Sequence, residues 1–86
     1  MRVRIPTPLR SYTANAANVT ADGATLAEVL ADLDRQFPGI AFRVADEQGQ
    51  LRQHMVIWLN DERCRDLGTR IDGVDEVVIM QALSGG

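Results

Sequence analysis

One amphipathic helix is the feature that most constrains how this chain can fold. Thr25 and Glu28 have the spacing of a capping box, in which each side chain satisfies a free backbone amide at the start of a helix. The apolar residues behind them recur at helical spacing and form one stripe: Leu26, Val29, Leu30, Leu33 and Phe37. Pro38 and Gly39 then end the helix. A stripe of this kind must pack against a second layer of structure.

The second layer is predicted to be a sheet, because short alternating or β-branched runs lie on both sides of the helix. Such runs are typical of strands, and those found here are 2–5, 18–21, 54–59, 63–65 and 76–80. The segment between the first two strands is predicted to be a loose loop, and residues 40–53 an irregular connection. This order of elements predicts an α+β domain with the β-grasp pattern. The expected sheet is mixed, has four to five strands and carries the one main helix on one face.

Length and composition limit the function. An 86-residue chain has room for one domain, which we place at residues 1–82, with a flexible tail at 83–86. The formal net charge is −3, and such a chain is a poor nucleic-acid binder because phosphate contacts dominate that affinity. The single cysteine excludes an internal disulfide and a cysteine-cluster metal site. Because no segment has the pattern of a signal peptide or a membrane span, we expect a cytoplasmic protein without membrane contact.

The last two residues, Gly85 and Gly86, have a direct chemical meaning. Without side chains, a di-glycine end is thin enough to thread a narrow channel in a partner enzyme. Its α-carboxylate is ionised at neutral pH and is a poor acyl electrophile. Adenylation with ATP would activate Gly86, and a sulfur nucleophile could then displace AMP and leave a thiocarboxylate. The alternative is that the two glycines are an incidental chain end.

Over nearly its whole length the sequence resembles the MoaD/ThiS family of ubiquitin-like sulfur carriers. The matching segments are IPTPLR, DGATLAEVLADLDRQFPGI, VIWLNDE and DGVDEVVIMQALSGG, of which the last is the most specific. The resemblance implies a β-grasp fold and a C-terminal glycine, here Gly86, that an E1-like enzyme adenylates with ATP. That glycine then becomes a sulfur-donating thiocarboxylate, with Gly85 as its flexible approach. The protein itself would hold no cofactor and would be a covalent co-substrate rather than an enzyme.

The resemblance also implies partners. These are the E1-like adenylating enzyme and a sulfur-accepting synthase, either of the cysteine synthase type or of the type of the molybdopterin synthase large subunit. A metalloprotease is a further partner type that the resemblance leaves open. The opening IPTPLR and the turn at 60–62 resemble the carriers of cysteine synthesis more than other subgroups. Two other functions stay open: a ubiquitin-like modifier conjugated through Gly86 to lysines of target proteins, and a non-catalytic interaction subunit.

The alternation within the predicted strands indicates an interaction surface. If the first, third and fifth residues of the run 55–59 face the helix, the residues between them face the other side of the sheet. The same argument applies to the run 76–80. We therefore predict an apolar partner-binding patch, completed by one residue of the tail: Val56, Trp58, Val78, Met80 and Leu83. The alternative is that residues 40–53 fold over this patch.

Several reactive or charged residues are given structural roles. Cys64 is predicted to be a small packed side chain rather than a sulfur-transfer group. His54 stands alone in the sequence, so we expect no metal and no catalytic role for it. Asp72, Asp75 and Glu76 are predicted to lie in a solvated turn, because their spacing matches no calcium loop.

Overall fold

The computed structural model describes residues 1–82, and within them one mixed sheet forms the frame of the molecule. Its strands are β1 (Arg2–Arg4), β2 (Asn18–Thr20), β3 (Met55–Leu59), β4 (Glu62–Cys64) and β5 (Glu76–Gln81). Their order across the sheet is β2-β1-β5-β3-β4. β1 and β5 run parallel, and the other neighbouring pairs are antiparallel. The last strand of the chain therefore lies in the middle of the sheet, between the first and the third.

Helix α1 spans Leu26–Gln36, and its start is fixed by two side chains. The Thr25 hydroxyl accepts a hydrogen bond of 3.3 Å from the amide of Glu28, as the capping box predicts. The Glu28 carboxylate accepts a bond of 3.1 Å from the amide of Ala24, one residue earlier than in a standard capping box. Two amides at the start of α1 thus find side-chain acceptors in place of water.

The hydrophobic core lies between α1 and the sheet. The apolar stripe of α1 is buried, except for Phe37 just beyond the helix, which is half-buried. Alternate residues of three strands enter the same core and are at most 7% exposed: Val3, Met55, Ile57, Leu59, Val77 and Ile79. The predicted α+β architecture, a β-grasp fold with one main helix on a five-stranded mixed sheet, is confirmed.

Two short helical segments replace predicted loops. A 3₁₀ helix at Thr7–Thr13 connects β1 and β2, and Pro8 lies in its first turn, where the fixed φ of proline suits a helix. Helix α2, at Ile40–Val44, begins after Gly39, whose φ of 99° turns the chain back. Both end residues of α2 are fully buried, so this segment belongs to the core. Neither segment is long enough to show helical periodicity in the sequence, which is why both were absent from the prediction.

The helices of the domain are short. α1 has 11 residues, whereas a helix needs about 20 apolar residues to span a bilayer. Within residues 1–82, no helix combines the length and the apolar composition that a membrane crossing requires.

Candidate functional site

The root of the tail is held against a neighbouring strand. The amide of Ala82, one residue beyond β5, donates a hydrogen bond of 2.7 Å to the carbonyl oxygen of His54. Gln81, the last residue of β5, is paired with Met55 at the start of β3. The position from which residue 83 continues is therefore fixed by the sheet.

Three of the predicted functional residues lie outside the described residues: Leu83, Gly85 and Gly86. The predicted boundary between a domain at 1–82 and a flexible tail at 83–86 also stays a prediction. The structure does define the surface from which these residues start, and that surface is the candidate site.

One edge of β5 is open near its C-terminal end. β1 pairs with β5 only as far as Val78, because the chain leaves the sheet after β1 and enters the 3₁₀ helix. Beyond Val78, β5 borders a groove of about 470 Å³ whose lining includes Arg4, Pro6 and Arg10. The root of the tail thus lies between a paired edge on the β3 side and an open groove on the β1 side.

Four residues of the predicted partner-binding set come together on the sheet face opposite α1, and we call them the sheet patch: Val56, Trp58, Val78 and Met80. In the ladder between β3 and β5, Val56 lies opposite Met80 and Trp58 lies opposite Val78. Met80 is 48% exposed, and the other three are half-buried. A contiguous apolar group on the outer face of a sheet is typical of an interaction surface.

The segment 40–53 does not cover the sheet patch. Helix α2, which begins this segment, contacts α1 on the other side of the sheet. Ala45 and Leu51 form an isolated β-bridge, and Leu51 is 7% exposed within the core cluster that contains the α1 stripe. Because the buried apolar residues of this segment join the core on the helix side, the interpretation of the segment as a cover for the patch is wrong.

Arginines border the sheet patch on both sides. Arg4 of β1 lies opposite Val78, and Arg63 of β4 lies opposite Trp58. Guanidinium groups keep their charge at all physiological pH values and also stack well on aromatic rings. The outer face therefore has an apolar centre with cationic flanks, which suits a partner surface that is apolar in the middle and acidic at the edge.

Asn60 is a positioning residue that the sequence analysis did not single out. It has a φ of 54° in the turn between β3 and β4. Its Oδ1 accepts hydrogen bonds from the amides of Asp75 (3.1 Å) and Glu76 (3.2 Å), and its own amide donates to the carbonyl oxygen of Glu76 at 3.0 Å. These three bonds fix the start of β5. An asparagine at the turn was the available signal, since asparagine tolerates positive φ.

Cys64 and His54 occupy structural positions. Cys64 is half-buried against the core, and its Sγ lies 3.3 Å from both the carbonyl oxygen of Asp66 and the Oγ1 of Thr69. These contacts agree with the predicted packing role. The side chain of His54 is exposed, and its carbonyl group holds Ala82. In the part of the chain that the structure describes, no three His, Cys, Asp or Glu side chains are grouped to hold a metal ion.

Two of the three acidic residues before and at the start of β5 form ion pairs at the surface. Arg70 pairs with Asp72 at 3.1 Å, and Arg2 pairs with Glu76 at 2.8 Å. The hydrogen bond that Arg70 donates to Asp72 raises the pKa of the guanidinium, which is charged at neutral pH in any case. Exposed pairs of this kind contribute little to stability. Asp72 and Asp75 are exposed in the turn before β5, as predicted, whereas Glu76 is the half-buried first residue of β5 and lies outside that turn.

Comparison with known families gives a match along almost the entire chain. The sequence model of the ThiS family matches residues 3–86. The match includes β1 from its second residue, the other four strands, α1 and the final four residues. It therefore covers both the described domain and the predicted tail.

Individual relatives agree with this match. The sulfur carrier protein CysO of Mycobacterium tuberculosis is 39% identical over 89 residues, covering 98% of this chain and 96% of the relative. The crystal structure of M. tuberculosis CysO has a TM-score of 0.88 at 37% identity and covers 95% of this chain and 98% of that one. A chain of the Amycolatopsis orientalis BexX/CysO complex also has a TM-score of 0.88, at 32% identity, covering 99% of this chain and 98% of that one. The protein SAMP1 of Haloferax volcanii has a TM-score of 0.73 at 28% identity and covers 100% of this chain and 98% of that one.

Proposed function

Because this chain belongs to the ThiS family, we propose that it is a sulfur carrier that presents its C-terminal glycine, Gly86, to partner enzymes. The observation that carries this function is the 39% identity with a sulfur carrier over nearly the whole of both chains. The family match runs to residue 86, so it includes the di-glycine. In this role the protein is a covalent co-substrate and not a catalyst.

The proposed chemistry takes place on the Gly86 carboxylate. One carboxylate oxygen attacks the α-phosphorus of ATP, which is bound by the partner enzyme, and pyrophosphate leaves. The resulting acyl-adenylate is a far better electrophile than the carboxylate. A sulfide equivalent then attacks the acyl carbon and expels AMP, which leaves a thiocarboxylate as the sulfur donor. The absence of side chains at Gly85 and Gly86 keeps this carbon accessible throughout.

The body of the domain must dock as well, and we propose that it docks through the sheet patch. Four tail residues bury too little area for a specific complex, since stable interfaces bury about 800 Å² per partner. Trp58 is the single tryptophan of the chain and lies on the outer face, half-buried and opposite Val78. Large aromatic anchors dominate most interfaces. Leu83 would extend the same apolar contact towards the channel that receives the tail.

The proposed chemistry requires two partners. One is an E1-like enzyme that adenylates Gly86, and the other is a synthase that accepts the sulfur. The A. orientalis complex, in which a CysO is bound to BexX, supports the general expectation of a protein partner for a carrier of this kind. The similarity to M. tuberculosis CysO supports a synthase of the cysteine-synthesis type over one of the molybdopterin type. A metalloprotease acting at the di-glycine would be a third partner.

A second candidate function is conjugation of Gly86 to lysines of other proteins. The observation that favours it is the 28% identity with SAMP1, which belongs to the small archaeal modifier proteins. This chain has no lysine, so it cannot form lysine-linked chains with itself. Lysine-linked conjugates of high mass in cell extracts would favour the modifier, and their absence together with a thiocarboxylate would favour the carrier.

The test of the carrier function is a reconstituted reaction with the cognate E1-like enzyme. With ATP alone, pyrophosphate should be released and an acyl-adenylate should form at Gly86. With ATP and a sulfide source, the intact mass should rise by the difference between sulfur and oxygen, and the change should map to the C-terminal peptide. A protein that no cognate adenylating enzyme activates would not be a carrier.

A further inference from the structure

The nine arginines of the chain fall into two groups. Three of them pair with carboxylates: Arg2, Arg35 and Arg70. Within residues 1–82, the other six have no carboxylate at salt-bridge distance: Arg4, Arg10, Arg43, Arg52, Arg63 and Arg65. No neighbouring carboxylate in the described part of the chain neutralises these six, so in a chain with a net charge of −3 the region where several of them gather is positive.

That region surrounds the root of the tail. Four of the six line grooves there, and we call them the basic collar: Arg4, Arg10, Arg43 and Arg52. The groove beside β5 shares Pro8 and Gln81 with a second groove, which in turn shares Arg43 and His54 with a third. Among the described residues, no aspartate or glutamate lines any of the three. Acidic side chains instead line grooves elsewhere on the domain, for example Asp34 and Asp46 beside α1.

Three collar arginines are oriented by neutral acceptors. The Nε of Arg10 donates to the carbonyl oxygen of Ile5 at 3.0 Å. The Nε of Arg43 donates to the Tyr12 hydroxyl at 2.7 Å. The Nε of Arg52 donates to the carbonyl oxygen of Phe42, also at 2.7 Å, and its guanidinium lies 4.8 Å from the centre of the Phe42 ring.

These bonds hold each guanidinium without neutralising it. The Nε atom is occupied, while the hydrogen bonds within residues 1–82 leave the terminal nitrogens of Arg10, Arg43 and Arg52 unused. Terminal nitrogens are the atoms with which arginine grips a carboxylate in a bidentate pair. The side chains are therefore partly immobilised before any partner binds, which lowers the entropy cost of forming such pairs.

We propose that the basic collar binds carboxylate side chains of the adenylating enzyme, at the rim of the channel that receives residues 83–86. This inference rests on the proposed function. Residues 83–86 can extend about 14 Å at most beyond Ala82, at roughly 3.5 Å per residue. An enzyme that reacts with Gly86 must therefore bring its surface against the collar, and that surface must offer negative charge to balance the arginines.

The collar is also continuous with the proposed docking face. Val78 and Met80 belong to the sheet patch and line the groove that contains Arg4 and Arg10. One partner could therefore cover the apolar patch and the collar together. Two other anions are possible ligands of the collar: the phosphates of ATP and the carboxylate at the end of this chain. Each gives a different result when the collar arginines are substituted.

The test compares two double variants that remove the same charge. Arg43→Gln with Arg52→Gln alters the collar, whereas Arg35→Gln with Arg70→Gln removes two arginines that already have carboxylate partners. Steady-state adenylation by the cognate E1-like enzyme is measured by pyrophosphate release at low and high salt. For the collar variant we expect the KM for the carrier to rise about tenfold at low salt, with a flatter salt dependence and turnover at saturation within about twofold. The control should match the wild type.

Each outcome has a distinct meaning. If the KM for the carrier and its salt dependence do not change, the collar has no role in docking, although adenylation by itself would uphold the carrier function. If only the KM for ATP rises, the collar contacts nucleotide and the proposal is wrong. If the collar substitutions weaken binding of the full chain but not of a chain lacking 83–86, the collar served the chain's own end and the proposal is wrong. Arg43→Lys with Arg52→Lys keeps the charge but cannot form bidentate pairs, so it should keep the salt dependence and recover only part of the affinity. Circular dichroism of both double variants identifies any loss that is due to misfolding.

Discussion

The amide of Ala82 donates a hydrogen bond of 2.7 Å to the carbonyl oxygen of His54, the residue immediately before the strand that carries Trp58. This bond joins the start of the tail to the proposed docking surface through β3. A partner that holds the sheet patch therefore also fixes the position of Ala82. Gly86 follows Ala82 by four residues, so docking of the patch contributes to placing the reacting carboxylate.

Removal of Gly85 and Gly86 should separate chemistry from docking. We expect the truncated chain to form no acyl-adenylate and no thiocarboxylate, because the reacting carbon is gone. Its affinity for the adenylating enzyme should stay within about tenfold of the wild-type value, since the sheet patch supplies most of the contact area. Binding titrations and single-turnover assays on the same preparations measure the two effects. Loss of nearly all affinity would show that the tail, and not the body, holds the complex.

Cys64→Ser should leave thiocarboxylate formation and sulfur delivery intact. The serine hydroxyl is able to replace the contacts that the thiol makes with Asp66 and Thr69. A modest loss of stability, about 1 kcal/mol, is expected because a polar hydroxyl replaces a soft, mostly apolar group beside the core. Single-turnover sulfur transfer checks the chemistry, and urea denaturation checks the stability. A folded variant that is loaded with sulfur but fails to deliver it would make Cys64 a participant in transfer.

Asn60→Ala should destabilise the domain by about 2 kcal/mol, from the lost hydrogen bonds and from alanine at positive φ. The bonds concerned are those from the amides of Asp75 and Glu76. Asn60→Gly loses the same bonds but accepts the φ of 54° without strain, so it should cost less than alanine. Urea denaturation of both variants measures the difference. Equal losses would mean that the side-chain bonds alone matter, and no loss in either would remove Asn60 from the positioning of β5.

The parts of this fold that could be predicted from the sequence are those set by local patterns. The cap at Thr25 and the apolar stripe behind it lie within 13 residues, and they predict α1. Alternation within β3 and β5 predicts that Trp58 and Val78 share the outer face. The structure adds that they lie directly opposite each other, a register that no local pattern reveals.

Features that depend on distant segments were not predictable in this way. Asn60 holds amides 15 and 16 residues further along the chain, so its role is not visible from the turn itself. The collar arginines Arg10, Arg43 and Arg52 come from three separate segments, two of which are the short helices that lack a periodic pattern. The sheet patch, which lies on regular strands, is therefore predictable from the sequence. The basic collar is not, because its arginines are brought together only by the fold.

Trp58→Ala should weaken binding to the adenylating or sulfur-accepting enzyme by about thirtyfold or more. A buried aromatic anchor typically contributes more than about 2 kcal/mol, and each tenfold in affinity corresponds to about 1.4 kcal/mol. The isolated domain should remain folded, because Trp58 is half-buried on the outer face and its neighbours in β3, Ile57 and Leu59, carry the core contacts. Calorimetric titration with each partner measures the affinity, and circular dichroism with thermal unfolding measures the fold.

Two comparisons make the Trp58 result decisive. Trp58→Phe keeps an aromatic ring at the centre of the patch and should recover a large part of the lost affinity, because most of the apolar contact area is restored. Phe37→Ala serves as the matched control, since Phe37 is a half-buried aromatic residue at the end of α1, on the helix side of the sheet, and lines none of the collar grooves. If Trp58→Ala stays folded and binds as tightly as the Phe37 variant, docking uses a different surface. If it leaves no folded protein, Trp58 belongs to the packing of the domain, and the outer face would then have to be probed through Met80, the most exposed member of the patch.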